Sequence, residues 1–154
     1  MKKTQRIAAL LEALPTAHGG TLDPRYLGYF HCFNRLEYYD AHDVLEDLWL
    51  ESRDGNWAFF KGLIQLAGAF VHLQKQALRP DHPKDGRRMH PAARLFKLAD
   101  AHLAPYSPRH LQLDVDALRQ LANALAQSIE DSGFTINPWT PGSAPQLALL
   151  ENEA

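Results

Sequence analysis

Cysteine is almost absent from this chain, since Cys32 is the only one among its 154 residues. A single cysteine excludes an intramolecular disulfide and a zinc site built from several thiolates. Cys32 lies among aromatic residues, so we expect a small buried apolar side chain and no catalytic thiol. The chain also lacks G-x-G-x-x-G, a Walker loop, G-x-S-x-G and H-E-x-x-H. The common patterns of nucleotide binding, serine esterases and zinc proteases are therefore missing.

The chain also lacks an excess of one charge and any long apolar run. Sixteen basic against eighteen acidic residues give a net charge of −2, so we expect no nucleic-acid partner. The longest apolar stretch, 57–73, contains polar residues and falls short of the roughly 20 residues that span a membrane. The N-terminus has no sustained apolar core of the kind that signal peptides carry. We therefore expect no membrane partner and a cytoplasmic location.

Apolar residues are plentiful, at 45% of the chain, and their spacing is helical. Predicted helices cover about 3–14, 24–33, 35–52, 57–78, 91–104 and 115–131, and no strand pattern is visible. Pro15 and the stretch 18–20 would end the first helix, whereas Asp23 and Asp114 are expected to cap the second and the last. The helix over 57–78 is apolar on most sides, which is typical of a buried central helix.

These patterns predict an all-α fold, a compact single-domain helical bundle. We assign residues 1–136 to this domain and 137–154 to a proline-containing tail. The tail is expected to be extended or disordered unless Trp139 anchors it. Asn34 and Glu37 have the spacing of a capping box, which predicts that the helix over 35–52 starts at Arg35.

Histidine is the one residue type in excess, with eight in the chain. Only His42 and His72 fall inside the two best-defined helices. His42 and Glu46 are four residues apart and would share one helix face, at the border between core and solvent. An imidazole nitrogen and a carboxylate suit zinc, iron, manganese or nickel. Chance alone gives about one such pair in a chain of this composition, so a histidine bonded within its own helix stays an alternative.

The central helix has a narrow polar stripe that includes Gln65 and His72. If the helices over 35–52 and 57–78 pack antiparallel, this stripe would face His42 and Glu46. His42, Glu46 and His72 would then supply three ligands to a divalent metal ion, with a position left for water. Tyr38, Trp49 and Gln65 would line that site. The alternative is that Gln65 and His72 form a plain solvent-facing strip.

Two stretches, FNRLEYYDAHDVLEDLW and FFKGLIQLAGAFVHL, resemble a small bacterial and archaeal family called domain of unknown function 309. Its hallmark H-x-x-x-E-x-x-W is matched by His42, Glu46 and Trp49, and its GLIQLA-x-x-x-x-H by 62–67 and His72. The resemblance extends from about Tyr26 to Leu125. It implies a compact all-helical fold and a metal at the hallmark motif, but no particular activity.

Two hypotheses about function stay open at this point. The first is a helical protein that binds a divalent metal, whose coordinated water would serve a hydrolase as nucleophile. The second is a non-enzymatic homodimer or other interaction module in which the His42–Glu46 pair is structural. Residues 37–54 are mainly acidic and 75–97 mainly basic, a polarity that would support contacts between copies. Whether the protein is an enzyme is not decided by the sequence.

Overall fold

The structure of the protein, a computed structural model, describes residues 2–14 and 21–151. Within these ranges it contains six α-helices and one short hairpin, so the prediction of an all-α fold is confirmed. The helices are α1 (Lys3–Glu12), α2 (Pro24–Asn34), α3 (Tyr38–Glu51), α4 (Trp57–Leu78), α5 (Met89–Leu103) and α6 (Val115–Asp131). Pro15 and the stretch 18–20, which were expected to end the first helix, lie outside the described residues.

Helix α4 is the centre of the molecule, as predicted, and packs between α3 and α5. Helix α2 lies against α3, and α6 lies against α5. Gly62 allows α5 to come close, because a Cβ at this position would lie 2.9 Å from Cγ of Leu103. Neither α4, with its 22 residues, nor another helix in the described ranges is both long and apolar enough to cross a bilayer.

Aromatic rings join the helices in the core. Phe70 of α4 lies 5.0 Å from Phe33 of α2, 5.2 Å from Tyr38 of α3 and 5.3 Å from Phe96 of α5, between ring centroids. These distances are typical of favourable edge-to-face and offset contacts. The buried Tyr29 hydroxyl donates a 2.7 Å hydrogen bond to the carbonyl of Leu63, which satisfies its only donor.

The predicted start of α3 at Arg35 is wrong, and so is the capping box. Asn34 is the last residue of α2, and α3 begins at Tyr38 after Glu37, whose side chain makes no capping hydrogen bond. Glu37 instead accepts a 3.0 Å hydrogen bond from Arg35. The Asn34 amide is unavailable for capping because it binds the backbone of Leu147 in the tail.

A short hairpin precedes α6. The sequence analysis predicted no strand, so this hairpin was missed. Strand β1 (Arg109–His110) pairs antiparallel with β2 (Leu113–Asp114). Each strand has two residues, too few to produce a detectable alternation of apolar and polar side chains. The predicted helix cap is nevertheless confirmed, since the Asp114 carboxylate accepts a 3.0 Å hydrogen bond from the amide of Ala117.

The tail after residue 136 is extended, and Trp139 anchors it. The Trp139 side chain is 5% exposed and its Nε1 donates a 3.0 Å hydrogen bond to the Tyr38 hydroxyl. Beyond a single 3₁₀ turn (Pro141–Ser143), Leu147 and Leu149 pack against the hydrophobic core. The tail therefore covers part of the helical domain.

Candidate functional site

The three residues of the hallmark motif lie along one stripe of α3, which we call the motif face. His42 and Glu46 are partly exposed, with 31% and 29% of their side chains accessible. Nε2 of His42 lies 3.9 Å from Oε2 of Glu46. Two atoms bound to one tetrahedral zinc ion would be about 3.4 Å apart, so a small side-chain rotation would bring this pair into range.

Asp43 orients the His42 ring. Its Oδ1 lies 3.2 Å from Nδ1 of His42, and its side chain is buried. Because a carboxylate only accepts hydrogen bonds, this contact places the ring proton on Nδ1 and leaves the lone pair of Nε2 directed away from Asp43. The other carboxylate oxygen of Asp43 pairs with Arg6 of α1. A carboxylate that fixes the tautomer of a histidine is a common arrangement behind metal ligands.

Glu46 already has a cationic partner. Lys3 of α1 donates a 2.6 Å hydrogen bond to Oε1 of Glu46. This hydrogen bond is the main reason that the pKa of the Glu46 carboxyl lies below its ordinary value, and the charges of Lys3, His42 and Lys61 add to it. Glu46 is therefore ionised at neutral pH, and any cation bound here competes with Lys3.

The tryptophan of the motif contacts a second lysine. Nζ of Lys61 lies 4.5 Å from the centroid of the Trp49 ring, a cation–π contact, and the ring of Trp57 lies 5.4 Å away. The Nε1 atom of Trp49 is buried and has no hydrogen-bond acceptor within the described part of the chain. Trp49 thus holds a buried donor without a partner among the described residues.

The structure does not bring His72 to His42 and Glu46. Helices α3 and α4 are antiparallel, but Tyr38 packs on Phe70 and Gln74 donates to the carbonyl of Leu36. This register puts His72 level with the start of α3, about five residues or ~8 Å along the axis from His42. The expected convergence fails because antiparallel packing alone does not fix the register.

The polar stripe of α4 faces α5 and its preceding loop. Gln65 accepts a 2.7 Å hydrogen bond from Nδ1 of His102, and Nδ1 of His72 accepts a 3.0 Å hydrogen bond from Arg88. Burial, followed by the charges of Arg88 and Lys75, lowers the pKa of the His72 imidazole. Among the residues described, no three histidine, cysteine, aspartate or glutamate side chains are grouped to hold a metal.

The burial of His72, together with the charge of Arg88, predicts a pH dependence of stability. The pKa of His72 is lower in the folded state than its ordinary value of about 6.5, so unfolded chains bind more protons. The free energy of unfolding should therefore fall as the pH drops below about 6.5. His72→Asn keeps an acceptor for Arg88 without a titrating ring and is expected to reduce this slope in urea unfolding between about pH 7 and pH 5. Equal slopes for variant and wild type would show that His72 does not contribute.

The model of a family described as a domain of unknown function, DUF309, matches residues 26–80. This segment of the chain is therefore similar to the DUF309 family. No curated protein and no solved structure matches the chain.

The DUF309 segment contains most of α2 together with α3 and α4, and so all the residues predicted to form the site. The family description names no activity. The sequence suggested a resemblance to this family as far as Leu125, but the family model matches no residue after 80. Lys3, Arg88 and His102, which contact the predicted site residues, lie outside the DUF309 segment.

The sequence interpretation missed four residues of this site. These residues are Lys3, Asp43, Lys61 and His102. Asp43 directly follows His42, and Lys61 lies on the same polar stripe as Gln65. Their positions next to predicted site residues were therefore a signal that could have identified both. Nothing local indicates Lys3 or His102, because each reaches its partner across more than 35 residues: 43 for Lys3 and Glu46, 37 for His102 and Gln65.

Proposed function

We propose that this protein binds a divalent metal ion between His42 and Glu46. The observation that carries the proposal is the contact of Asp43 with Nδ1 of His42, which frees Nε2 toward Glu46. A neutral imidazole nitrogen and a carboxylate oxygen suit zinc, manganese, iron or nickel. With two protein ligands, the remaining positions would belong to water or to a bound molecule.

The charges around the pair support the same proposal. Asp43 and Glu46 carry negative charge on the same side of α3, and Lys3 and Arg6 of α1 neutralise it in the structure. The Lys3 side chain is 42% exposed, so its ion pair with Glu46 is weak and can be displaced. A metal bound here would lower the pKa of its coordinated water, which is the chemistry that a hydrolase needs.

Metal titration of four full-length variants tests the proposal. By isothermal titration with zinc, manganese and nickel in turn, His42→Ala and Glu46→Gln should each weaken binding about tenfold or more. Lys3→Ala removes the competing ammonium and is expected to strengthen binding by about two- to fivefold. His72→Ala is the matched control and should bind like wild type. If wild type binds none of the three ions, or loses binding with His72→Ala instead, the proposal is wrong.

A second candidate is a non-enzymatic homodimer formed through the surface around Trp57 and Leu98. The observation that favours it is apolar exposure, with Trp57 42% and Leu98 39% accessible. His102 lies one helical turn after Leu98, and its ring centroid is 6.5 Å from that of Trp57, so these side chains border one surface. In this function the His42–Glu46 pair would be structural, and no metal would be required.

Sedimentation of Trp57→Glu tests the dimer. A charge at the centre of an apolar interface should shift wild-type dimers to monomers, whereas Leu78→Glu, at another exposed apolar position, should not. The readout is the mass from analytical ultracentrifugation over a range of concentrations. A wild-type protein that stays monomeric throughout would exclude this candidate.

A further inference from the structure

The last part of the tail is hydrogen-bonded to the end of α2 and to the β-hairpin. We call residues 144–151 the tail strand, and the surface formed by Asn34, Arg109 and Gln112 the tail groove. Each of these three residues contacts the tail strand by a hydrogen bond. The tail groove is remote in sequence from the tail strand and belongs to other elements of the fold.

The groove binds the backbone of the tail strand. The Asn34 side chain donates to the carbonyl of Leu147 and accepts from its amide, both at 2.7 Å. The Gln112 carbonyl accepts from the amide of Leu150 at 2.6 Å, and Arg109 donates to the carbonyl of Glu151 at 3.1 Å. Main-chain hydrogen bonds of this kind are how proteins bind extended peptides from other chains.

Side chains of the tail strand alternate in the way an extended peptide requires. Leu147 and Leu149 are half-buried and pack against the core, whereas Gln146 and Ala148 are exposed. Leu150 is half-buried as well, so the alternation covers 146–149. Leu147 and Leu149 therefore add apolar contacts with the core to the backbone hydrogen bonds of the tail strand.

Two local turns border the groove. Leu111 and Gln112 form the two-residue turn of the hairpin, and their φ angles of 45° and 63° are the left-handed ones that such a turn requires. Leu36, with a φ of 62°, ends α2 in the left-handed conformation, and the amide of Glu37 donates to the carbonyl of Cys32. These turns lie beside Asn34 and Gln112, the residues that bond the tail strand.

A short exposed turn connects the tail strand to its anchor. Trp139 is buried, but residues 140–143 are exposed and include Pro141 and Gly142. The strand can therefore leave the groove while Trp139 stays in the core. Its covalent link gives it an effective concentration on the order of millimolar, which favours its own groove over that of a neighbour.

We propose that the tail groove is a binding site for an extended, leucine-containing peptide, filled reversibly by the chain's own residues 144–151. The partner in trans is the same strand of a second copy of this chain, because that strand has the backbone contacts and the leucine spacing that the groove accepts. Exchange between copies is expected when the strand's own attachment is weakened or the chain is concentrated. The proposal is independent of the metal site, since His42 and Glu46 do not contribute to the groove.

Complementation between two full-length variants tests the proposal. Asn34→Asp replaces the amide donor with an oxygen facing the carbonyl of Leu147, so this variant has a free strand and an impaired groove. Leu147→Asp puts a charge on a half-buried position, so this variant has an intact groove and an impaired strand. Mixed, they should form a complex larger than either forms alone, as measured by analytical ultracentrifugation. Dimers through the surface around Trp57 and Leu98 would be present in the separate samples as well, which distinguishes the two kinds of assembly.

The matched control mixes Leu147→Asp with a double variant that carries both Asn34→Asp and Leu147→Asp. In the double variant the groove and the strand are both impaired. Complex formation with the double variant should be about tenfold weaker than with Asn34→Asp. Hydrogen exchange at the amides of Leu147 and Leu150 reports whether the strand has left the groove. A released strand that forms no complex overturns the proposal, and so does a strand that stays protected in both variants, because it would then be a fixed part of the fold. Leu149→Asp and Asn34→Ala serve as the second pair if either first variant fails to fold.

Discussion

Replacing Phe70 with alanine is expected to lower the free energy of unfolding by about 3–5 kcal/mol. The Phe70 side chain is 0% exposed and contacts aromatic rings from α2, α3 and α5. Its removal would take away the apolar burial of a whole ring and leave a cavity where three helices meet α4. Since domains are stable by about 5–15 kcal/mol, this single change would cost a large share of the total.

Urea unfolding followed by circular dichroism measures this loss. Phe70→Leu keeps much of the apolar volume and should cost clearly less than alanine. Leu78→Ala is the exposed control on the same helix, since Leu78 is 73% accessible, and should change stability by less than about 0.5 kcal/mol. Equal losses for Phe70→Ala and Leu78→Ala would contradict the placement of α4 at the centre.

Trp139→Ala should destabilise the protein nearly as much, by about 3–5 kcal/mol. Trp139 is almost completely buried, and its ring lies 6.1 Å from that of Tyr38, whose hydroxyl accepts its N–H. The alanine variant would lose the packing of the largest side chain in the tail. It would also remove the anchor at the start of the tail, whereas the contacts of Leu147 and Leu150 are separate from Trp139.

Two further variants separate the contributions at Trp139. Trp139→Phe keeps an aromatic ring but removes the donor to Tyr38. The lost hydrogen bond is expected to lower the free energy of unfolding by about 1 kcal/mol, in addition to the loss from the smaller ring. Ile136→Ala, at a position just before the tail that is 64% exposed, is the exposed control. If Trp139→Ala unfolds at the same urea concentration as wild type, Trp139 does not anchor the tail.

The long helices were predictable because their determinants are local. Helix α4 has the predicted bounds, Trp57–Leu78, since its apolar residues cover most of the helix circumference. Asp23 and Asp114 act as helix caps, and both do so through hydrogen bonds to residues two or three positions away. Patterns within one helical turn are sufficient for such predictions.

Asn34 shows where a local pattern fails. Its spacing from Glu37 fits a capping box, but its amide binds the backbone of Leu147, 113 residues away. Two strong hydrogen bonds to the tail replace one to the next helix. No sequence window reveals such a competitor, so the start of α3 was predicted too early.

The sequence by itself determined the helices, the buried centre and the His42–Glu46 pair, because each depends on residues within a few positions of one another. Only the tertiary structure decided which partners these residues meet. The register of α3 against α4 placed His72 beside Arg88 instead of beside Glu46, and the docking of α1 gave Glu46 its lysine. Side-chain spacing fixes the face of a helix, whereas the sliding position of one helix along another depends on the packing of the whole core.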